Sequence, residues 1–158
     1  MITDYPDNEI LSSLRETIGL NWNVIHNNGS LSLSNEKKRN RIKVLGYKWG
    51  DDVSNIIKEN QNKYFDVALL SECLWMHREH IALAASLNEI LTPDNGIALL
   101  TYAHHVPGCE EQDLDFFNIC RNDYGMDVCE KVFERDMPYM WNKDKITTIY
   151  LATVRKVS

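Results

Sequence analysis

The chain has 158 residues, 44% of them hydrophobic, and a net charge of −6. This length predicts one domain with its own core, and the acidic balance argues against a nucleic-acid partner because no basic surface is available to replace phosphate counterions. No apolar run reaches the roughly 18 residues that a membrane-spanning helix needs. The four cysteines form no C-x-x-C pair. Cys73 and Cys120 are expected to be buried free thiols, so a cytoplasmic or nuclear location is predicted.

The first part of the chain predicts a strand, a helix and a loop. Residues 2–4 resemble the end of a strand. Asp7 or Asn8 can cap a helix that is expected to end at Gly19. Residues 26–40 are polar and lack a periodic apolar face, so they are predicted to form a flexible surface loop.

The rest of the chain alternates predicted strands with predicted helices. The strands are at 41–47, 65–71, 97–103, 126–135 and 145–156. The helices are a short one at 53–57 and longer ones at 79–91 and 113–124. This alternation predicts an α/β fold with a mainly parallel sheet, an antiparallel final strand at or near the sheet edge, and a single domain covering 1–158.

Ligands of parallel sheets bind beyond the carboxyl ends of the strands, and this rule selects one rim of the predicted sheet. The rim consists of Asp4, Trp49, Ser71, Glu72 and residues 102–107. Asp4 either holds ribose hydroxyls or forms a local turn. Trp49 either stacks on a purine or belongs to the core. Glu72 either faces a ligand or caps the next helix.

Four histidines lie near the same rim: His77, His80, His104 and His105. Their spacing matches no known metal-ligand pattern and no cysteine pair joins them, so no metal site is predicted. Helix capping by His77 and hydrogen bonding by His104 are structural alternatives. A histidine that titrates near neutral pH could instead accept a proton from an amine nucleophile.

Four segments resemble, in this order, the family-16 lysine methyltransferase-like enzymes: TDYPDNEI, LGYKWGDD, FDVALLSECLWMHREHIAL and ALLTYAHHVPG. Within that group the chain resembles the elongation factor 1-alpha N-terminal and lysine methyltransferases, long labelled nicotinamide N-methyltransferase-like. The resemblance covers most of the chain and is weakest in 21–40. It implies a class I (Rossmann-like) methyltransferase sheet, S-adenosylmethionine as cofactor and a translation elongation factor as protein substrate.

The resemblance also implies roles for individual residues. Together with the rim rule, which alone selects Ser71, it gives the cofactor-binding candidates Asp4, Tyr5, Trp49 and Ser71. The catalytic candidates are Glu72 and His104. The candidates on the substrate side are Trp75, His77 and His105. The chain departs from the family pattern at three positions, with Glu72 for a usual Asp, Met76 for Asn and Val106 for Arg.

The resemblance further implies a first strand and a glycine-rich loop, which the sequence lacks, since its seven glycines include no G-x-G pair. The chain is therefore expected to be an amino-terminally truncated protein N-methyltransferase. One alternative is a catalytically inactive methyltransferase-like remnant or binding protein. Another is a small-molecule N-methyltransferase of the nicotinamide type.

Overall fold

The structure is a computed structural model that describes residues 1–27, 42–139 and 142–157. The chain divides into two compact units, Met1–Asp51 and Asp52–Ser158. The first contains a two-stranded sheet and the second a four-stranded sheet. The predicted loop at 26–40 lies mostly outside the described residues, and only its first two residues lie inside them, at the end of a helix. The assignment of 1–158 to one partial domain stays a prediction.

The first unit pairs two short strands in parallel, with a helix between them in the chain. Strand β1 (Ile2–Asp4) lies beside β2 (Val44–Gly46). Helix α1 (Asn8–Asn27) begins after Asp7, whose Oδ1 accepts hydrogen bonds from the backbone N–H groups of Glu9 and Ile10 at 2.8 and 3.1 Å. This side chain satisfies two donors of the first helical turn and confirms the predicted cap.

The predicted end of this helix at Gly19 was wrong. Helix α1 continues through Gly19 to Asn27. A glycine inside a helix costs only about 1 kcal/mol relative to alanine, and no proline follows to end the helix. Residues 20–25, LNWNVI, continue the apolar spacing in the sequence. Gly19 therefore weakens the helix locally without ending it.

The second unit contains the alternating strands and helices that the sequence predicts. Its strands are β3 (Val67–Ser71), β4 (Ile97–Tyr102), β5 (Asp127–Tyr139) and β6 (Asn142–Arg155). Its helices are α2 (Ser54–Glu59), a 3₁₀ turn (His77–Glu79), α3 (His80–Ile90) and α4 (Glu110–Tyr124). Within the described residues, no helix is long and apolar enough to cross a bilayer.

The four strands of this sheet lie in the order β3-β4-β6-β5. Strand β4 pairs in parallel with β3 and antiparallel with β6, and β5 pairs antiparallel with β6. The predicted antiparallel finish is confirmed. The final strand β6 is one place from the edge, because β5 occupies it. An edge strand can accommodate Pro138, which has no N–H to donate to a neighbour.

Helices α3 and α4 supply the apolar side chains that pack on the sheet. Fully buried residues include Leu83, Leu87, Leu100, Phe116, Phe117, Ala152 and Val154. Cys120 is buried too, and burial raises the pKa of its thiol to about 12. Cys73 is only half-buried, so the expectation of burial was right for Cys120 alone.

The outer edge of β3 is open within the described residues, since β4 is its only strand partner there. Leu69 on this strand is 78% exposed.

Candidate functional site

The carboxyl ends of β3 and β4 meet at one rim of the second unit. Ser71 and Thr101 are paired across the two strands, and their hydroxyl oxygens lie 3.4 Å apart. The backbone N–H of Glu72 donates to the carbonyl of Thr101 at 2.8 Å, which extends the ladder by one residue. The parallel pairing therefore brings Glu72 close to the segment that follows β4.

Glu72 has an unusual backbone and a specific partner at this rim. Its φ is +54°, in the left-handed region that costs an ordinary L-residue roughly 1–2 kcal/mol. Its Oε2 lies 2.6 Å from Nε2 of His105, and both side chains are about one-third exposed. Neither the 3₁₀ turn nor α3 has a side-chain hydrogen bond at its amino terminus, so Glu72 caps neither. Strain of this kind clusters at functional sites.

A second polar cluster centres on Asp113 and includes His104, which lies in the segment that follows β4. One carboxylate oxygen, Oδ1, lies 2.6 Å from Nε2 of His77, and the other, Oδ2, lies 2.8 Å from Nδ1 of His104. Asp113 is only 2% exposed, whereas the two histidine side chains keep about a quarter of their surface exposed. His77 therefore contacts a carboxylate and does not cap a helix.

The sequence reasoning missed Asp113. An acidic residue in the first turn of a helix usually stabilises the helix dipole from an exposed position, so the residue type alone does not indicate burial. The sequence feature that could have indicated its burial is DLDFF, in which Asp113 lies three and four positions before the buried Phe116 and Phe117. That spacing places Asp113 on the inner face of α4.

Aromatic rings hold the ring of His104 in place. The rings of Tyr102 and Tyr150 lie with their centroids 5.7 and 5.4 Å from it. Tyr102 donates its hydroxyl to the carbonyl of Glu130 at 3.1 Å, and burial raises its pKa to about 12. Tyr102 is therefore neutral near pH 7 and has a structural role beside His104.

His80 is part of the core and not of the exposed rim. It is 2% exposed, and its Nε2 lies 2.7 Å from the carbonyl oxygen of Leu74. Its ring packs edge-on against Phe116. Burial lowers the pKa of His80, mainly because the charged imidazolium would lose its hydration.

The remaining candidates divide between the two units. Asp4, Tyr5 and Trp49 belong to the first unit, whereas Ser71, Glu72, Trp75 and the histidines belong to the second. Oδ1 of Asp4 accepts a hydrogen bond from the N–H of Tyr5 at 2.7 Å, which is a local-turn contact. Trp49 is half-buried in a turn that Gly50 completes at φ +84°. Trp75, predicted to lie on the substrate side, is 52% exposed.

The first-unit residues fit the adenosine end of S-adenosylmethionine. Asp4 is exposed at the end of β1, and its Oδ2 has no hydrogen bond from another described residue, so it can accept from ribose hydroxyls. The ring of Tyr5 is 57% exposed beside it and offers a surface to a purine. Over 1–27, 42–139 and 142–157, no three His, Cys, Asp or Glu side chains are placed to hold a metal ion.

Comparison with solved structures identifies the class of fold. Precorrin-6y C5,15-methyltransferase from Geobacter metallireducens matches with a TM-score of 0.54, covering 98% of this chain and 64% of that protein. The two sequences are 8% identical, so the likeness concerns the fold alone. The fold is the class I, Rossmann-like α/β methyltransferase fold, as predicted. No protein-family profile matches the chain.

Sequence comparison finds relatives that share a more particular name, "Protein N-terminal and lysine N-methyltransferase EFM7". The protein from Kluyveromyces lactis is 31% identical and aligns with 96% of this chain and 60% of its own length. Those from Yarrowia lipolytica and Candida glabrata are 29% and 30% identical, each over 93% of this chain and 54% and 52% of their own lengths. The chain thus spans little more than half of these relatives. Their names and the fold support a methyltransferase family.

Proposed function

We propose that the protein is an S-adenosylmethionine-dependent protein N-methyltransferase that acts on translation elongation factor 1-alpha, at its N-terminal amine, at a lysine, or at both. The relatives named as protein N-terminal and lysine methyltransferases support the reaction class. One observation carries the proposal: Glu72, at the end of β3, pairs with His105, from the segment that follows β4, beside the Asp113 cluster. Acidic and basic side chains are thereby gathered where this fold binds its ligands.

In this proposal the cofactor-binding candidates keep the roles that the resemblance implies. Asp4 accepts hydrogen bonds from the ribose, and Tyr5 and Trp49 border the adenosine. S-adenosylmethionine supplies a methyl group on a positively charged sulfur, which a neutral amine can take in a single displacement. The protein contributes mainly by holding the amine in line with that methyl group.

Glu72 and His104 then act on the amine. His104 accepts a proton from the ammonium form, since only the neutral amine has a lone pair with which to attack. The carboxylate of Glu72 lies close enough to His105 to be oriented by it, and it offsets the positive charge that develops on nitrogen. Trp75, His77 and His105 border the substrate. The positive φ of Glu72 sets the direction of its Cα–Cβ bond, and the contact with His105 holds the carboxylate at the end of the side chain.

The charge of the chain agrees with a protein substrate. A net charge of −6 favours approach by a basic segment, such as one that carries a lysine or a free amino terminus. An elongation-factor substrate also implies a cytoplasmic location, one of the two that the sequence predicts.

A competition assay tests the substrate class. The protein is incubated with methyl-labelled S-adenosylmethionine and equal concentrations of nicotinamide and a peptide from the amino terminus of elongation factor 1-alpha. We expect label in the peptide with the wild-type protein and about 100-fold less with Glu72→Gln, since removal of one electrostatic stabiliser typically costs this much. Asp123→Asn, an exposed change in α4, is the matched control. Label in nicotinamide alone would favour the small-molecule alternative.

One observation favours the second candidate function, a non-catalytic remnant or binding protein. The sequence has no G-x-G pair to receive the methionine end of the cofactor. This candidate predicts no binding of S-adenosylmethionine by the 158-residue chain. Calorimetry with S-adenosylhomocysteine distinguishes the methyltransferase from the remnant. A measurable Kd would exclude a remnant that cannot bind the cofactor.

A further inference from the structure

The carboxylate of Asp113 accepts hydrogen bonds from two histidines, one on each oxygen. His77 approaches Oδ1 at 2.6 Å and His104 approaches Oδ2 at 2.8 Å. The carboxylate is almost fully buried, and it lies in the first turn of α4, whose amino-terminal end favours negative charge. The proposed function assigns no role to Asp113 itself.

The acceptors fix which nitrogen of each histidine carries a hydrogen. An ionised carboxylate or a backbone carbonyl can only accept, so the ring nitrogen that faces it must be the donor. His77 therefore donates from Nε2 to Asp113, His80 from Nε2 to the Leu74 carbonyl, and His105 from Nε2 to Glu72. His104 alone among these four donates from Nδ1.

We infer that Asp113 is a positioning residue that holds His104 in its Nδ1–H tautomer and leaves Nε2 of His104 as the proton acceptor. Free histidine prefers hydrogen on Nε2, so without Asp113 the acceptor nitrogen would be occupied. Nε2 of His104 has no hydrogen-bond partner within the described residues, and its ring contacts the stacked pair of Tyr102 and Tyr150. In this tautomer Nε2 keeps its lone pair, and the ring that carries it is fixed in position by Asp113 and the two tyrosines.

This arrangement gives the proton a donor and an acceptor. The donor is an ammonium group of the substrate, and for that group the inference rests on the proposed function. The proton leaves that nitrogen for Nε2 of His104, and the ring becomes an imidazolium that carries hydrogen on both nitrogens. Asp113 keeps its negative charge and stabilises the imidazolium through the existing Nδ1 hydrogen bond. His77 holds the second oxygen of the carboxylate and so keeps it from rotating.

Nitrogen NMR tests the inference without any substrate. In ¹⁵N-labelled protein, the pH is raised until the histidine shifts stop changing, so that the rings are neutral. We expect the protonated nitrogen of His104 to be Nδ1, whereas His77, His80 and His105 carry hydrogen on Nε2 in the same spectrum. His104→Gln and His77→Gln identify the resonances. A neutral His104 with hydrogen on Nε2 would overturn the inference.

Asp113→Ala tests whether the carboxylate is the cause. We expect the two nitrogens of His104 to exchange their shifts, while His80 keeps hydrogen on Nε2 and reports an intact core. Asp123→Ala, in the last turn of the same helix, is the matched control and should leave His104 unchanged. If His104 stays in its Nδ1–H form in folded Asp113→Ala, Asp113 does not position it.

Activity separates this inference from the proposed function. If both hold, Asp113→Ala lowers methyl transfer about 100-fold, the usual contribution of a general base, and the pH profile changes shape. If the wild-type spectrum shows the expected tautomers but no amine is methylated, the positioning of His104 stands and the proposed function fails.

Discussion

Glu72 and His105 are joined by a hydrogen bond of 2.6 Å between Oε2 and Nε2, although 33 positions separate them in the sequence. The parallel pairing of β3 with β4 brings the two together, because both residues follow the carboxyl ends of neighbouring strands. Glu72 reaches this position only with a positive φ. The backbone is therefore strained at Glu72, which is a catalytic residue in the proposed function.

The strain at Glu72 predicts that glycine is more stable than alanine at this position. Both Glu72→Gly and Glu72→Ala remove the carboxylate, but only glycine adopts φ near +54° without cost. We expect Glu72→Gly to have a free energy of unfolding about 1 kcal/mol above that of Glu72→Ala. Urea unfolding followed by circular dichroism measures the difference. Equal stabilities would show that the backbone at Glu72 is unstrained.

Removal of the Asp4 carboxylate is expected to weaken cofactor binding. Asp4 can accept from ribose hydroxyls through an oxygen that the N–H of Tyr5 leaves free. A hydrogen bond to a charged group contributes roughly 1.5–3 kcal/mol, so Asp4→Ala should raise the Kd for S-adenosylhomocysteine at least about tenfold. Calorimetry gives this value, with Asp123→Ala as the control. An unchanged Kd would remove Asp4 from the binding site.

Stability is expected to fall below neutral pH because of His80. Burial lowers the pKa of His80 in the folded state below the value of about 6.5 expected when it is unfolded. The unfolded chain then binds the proton more readily, so the stabilising contribution is complete above pH 6.5 and is lost as the pH falls below it. Urea unfolding at pH 8 and pH 5.5 should show this loss.

His80→Gln provides the comparison. The glutamine amide can still donate to the Leu74 carbonyl, but it does not titrate. The fall in stability between pH 8 and pH 5.5 should therefore be smaller in this variant than in the wild type. An identical fall in both proteins would mean that His80 does not cause it.

The core beneath the site should depend strongly on Phe116. This side chain is fully buried on α4 and packs edge-on against His80 and Phe117. Phe116→Ala should lower the free energy of unfolding by about 3–5 kcal/mol, as expected for a large cavity. Ile81→Ala, at an exposed position of α3, should change it by less than about 1 kcal/mol. Similar losses in the two variants would contradict the assignment of the core.

Periodicity in the sequence predicts most of the fold. The apolar runs at 65–71 and 97–103 contain β3 and β4, and the Asp7 cap marks the start of α1. Gly19 misled the prediction because a glycine inside a helix and a glycine at its end look alike in sequence. The end of β5 and the start of β6 were also missed, since residues 136–139 include a proline and residues 142–144 are all polar.

The candidate site could be predicted only in part. The rim rule selected Glu72 and His105 separately, but their hydrogen bond depends on the register between β3 and β4, which the sequence does not state. Asp113 was not predicted as a site residue because its burial depends on the packing of α4 against the sheet. The tautomer of His104 follows from that buried carboxylate and so could not be predicted either.

Methyl transfer to elongation factor 1-alpha is the measurement that tests the central claim most directly. Elongation factor 1-alpha without methylation is incubated with the protein and S-adenosylmethionine, and peptide mass spectrometry locates each added methyl group. The account predicts methyl groups on the N-terminal amine or on defined lysines with the wild-type protein, and far fewer with Glu72→Gln. An elongation factor left unmodified by folded, cofactor-saturated protein would contradict it.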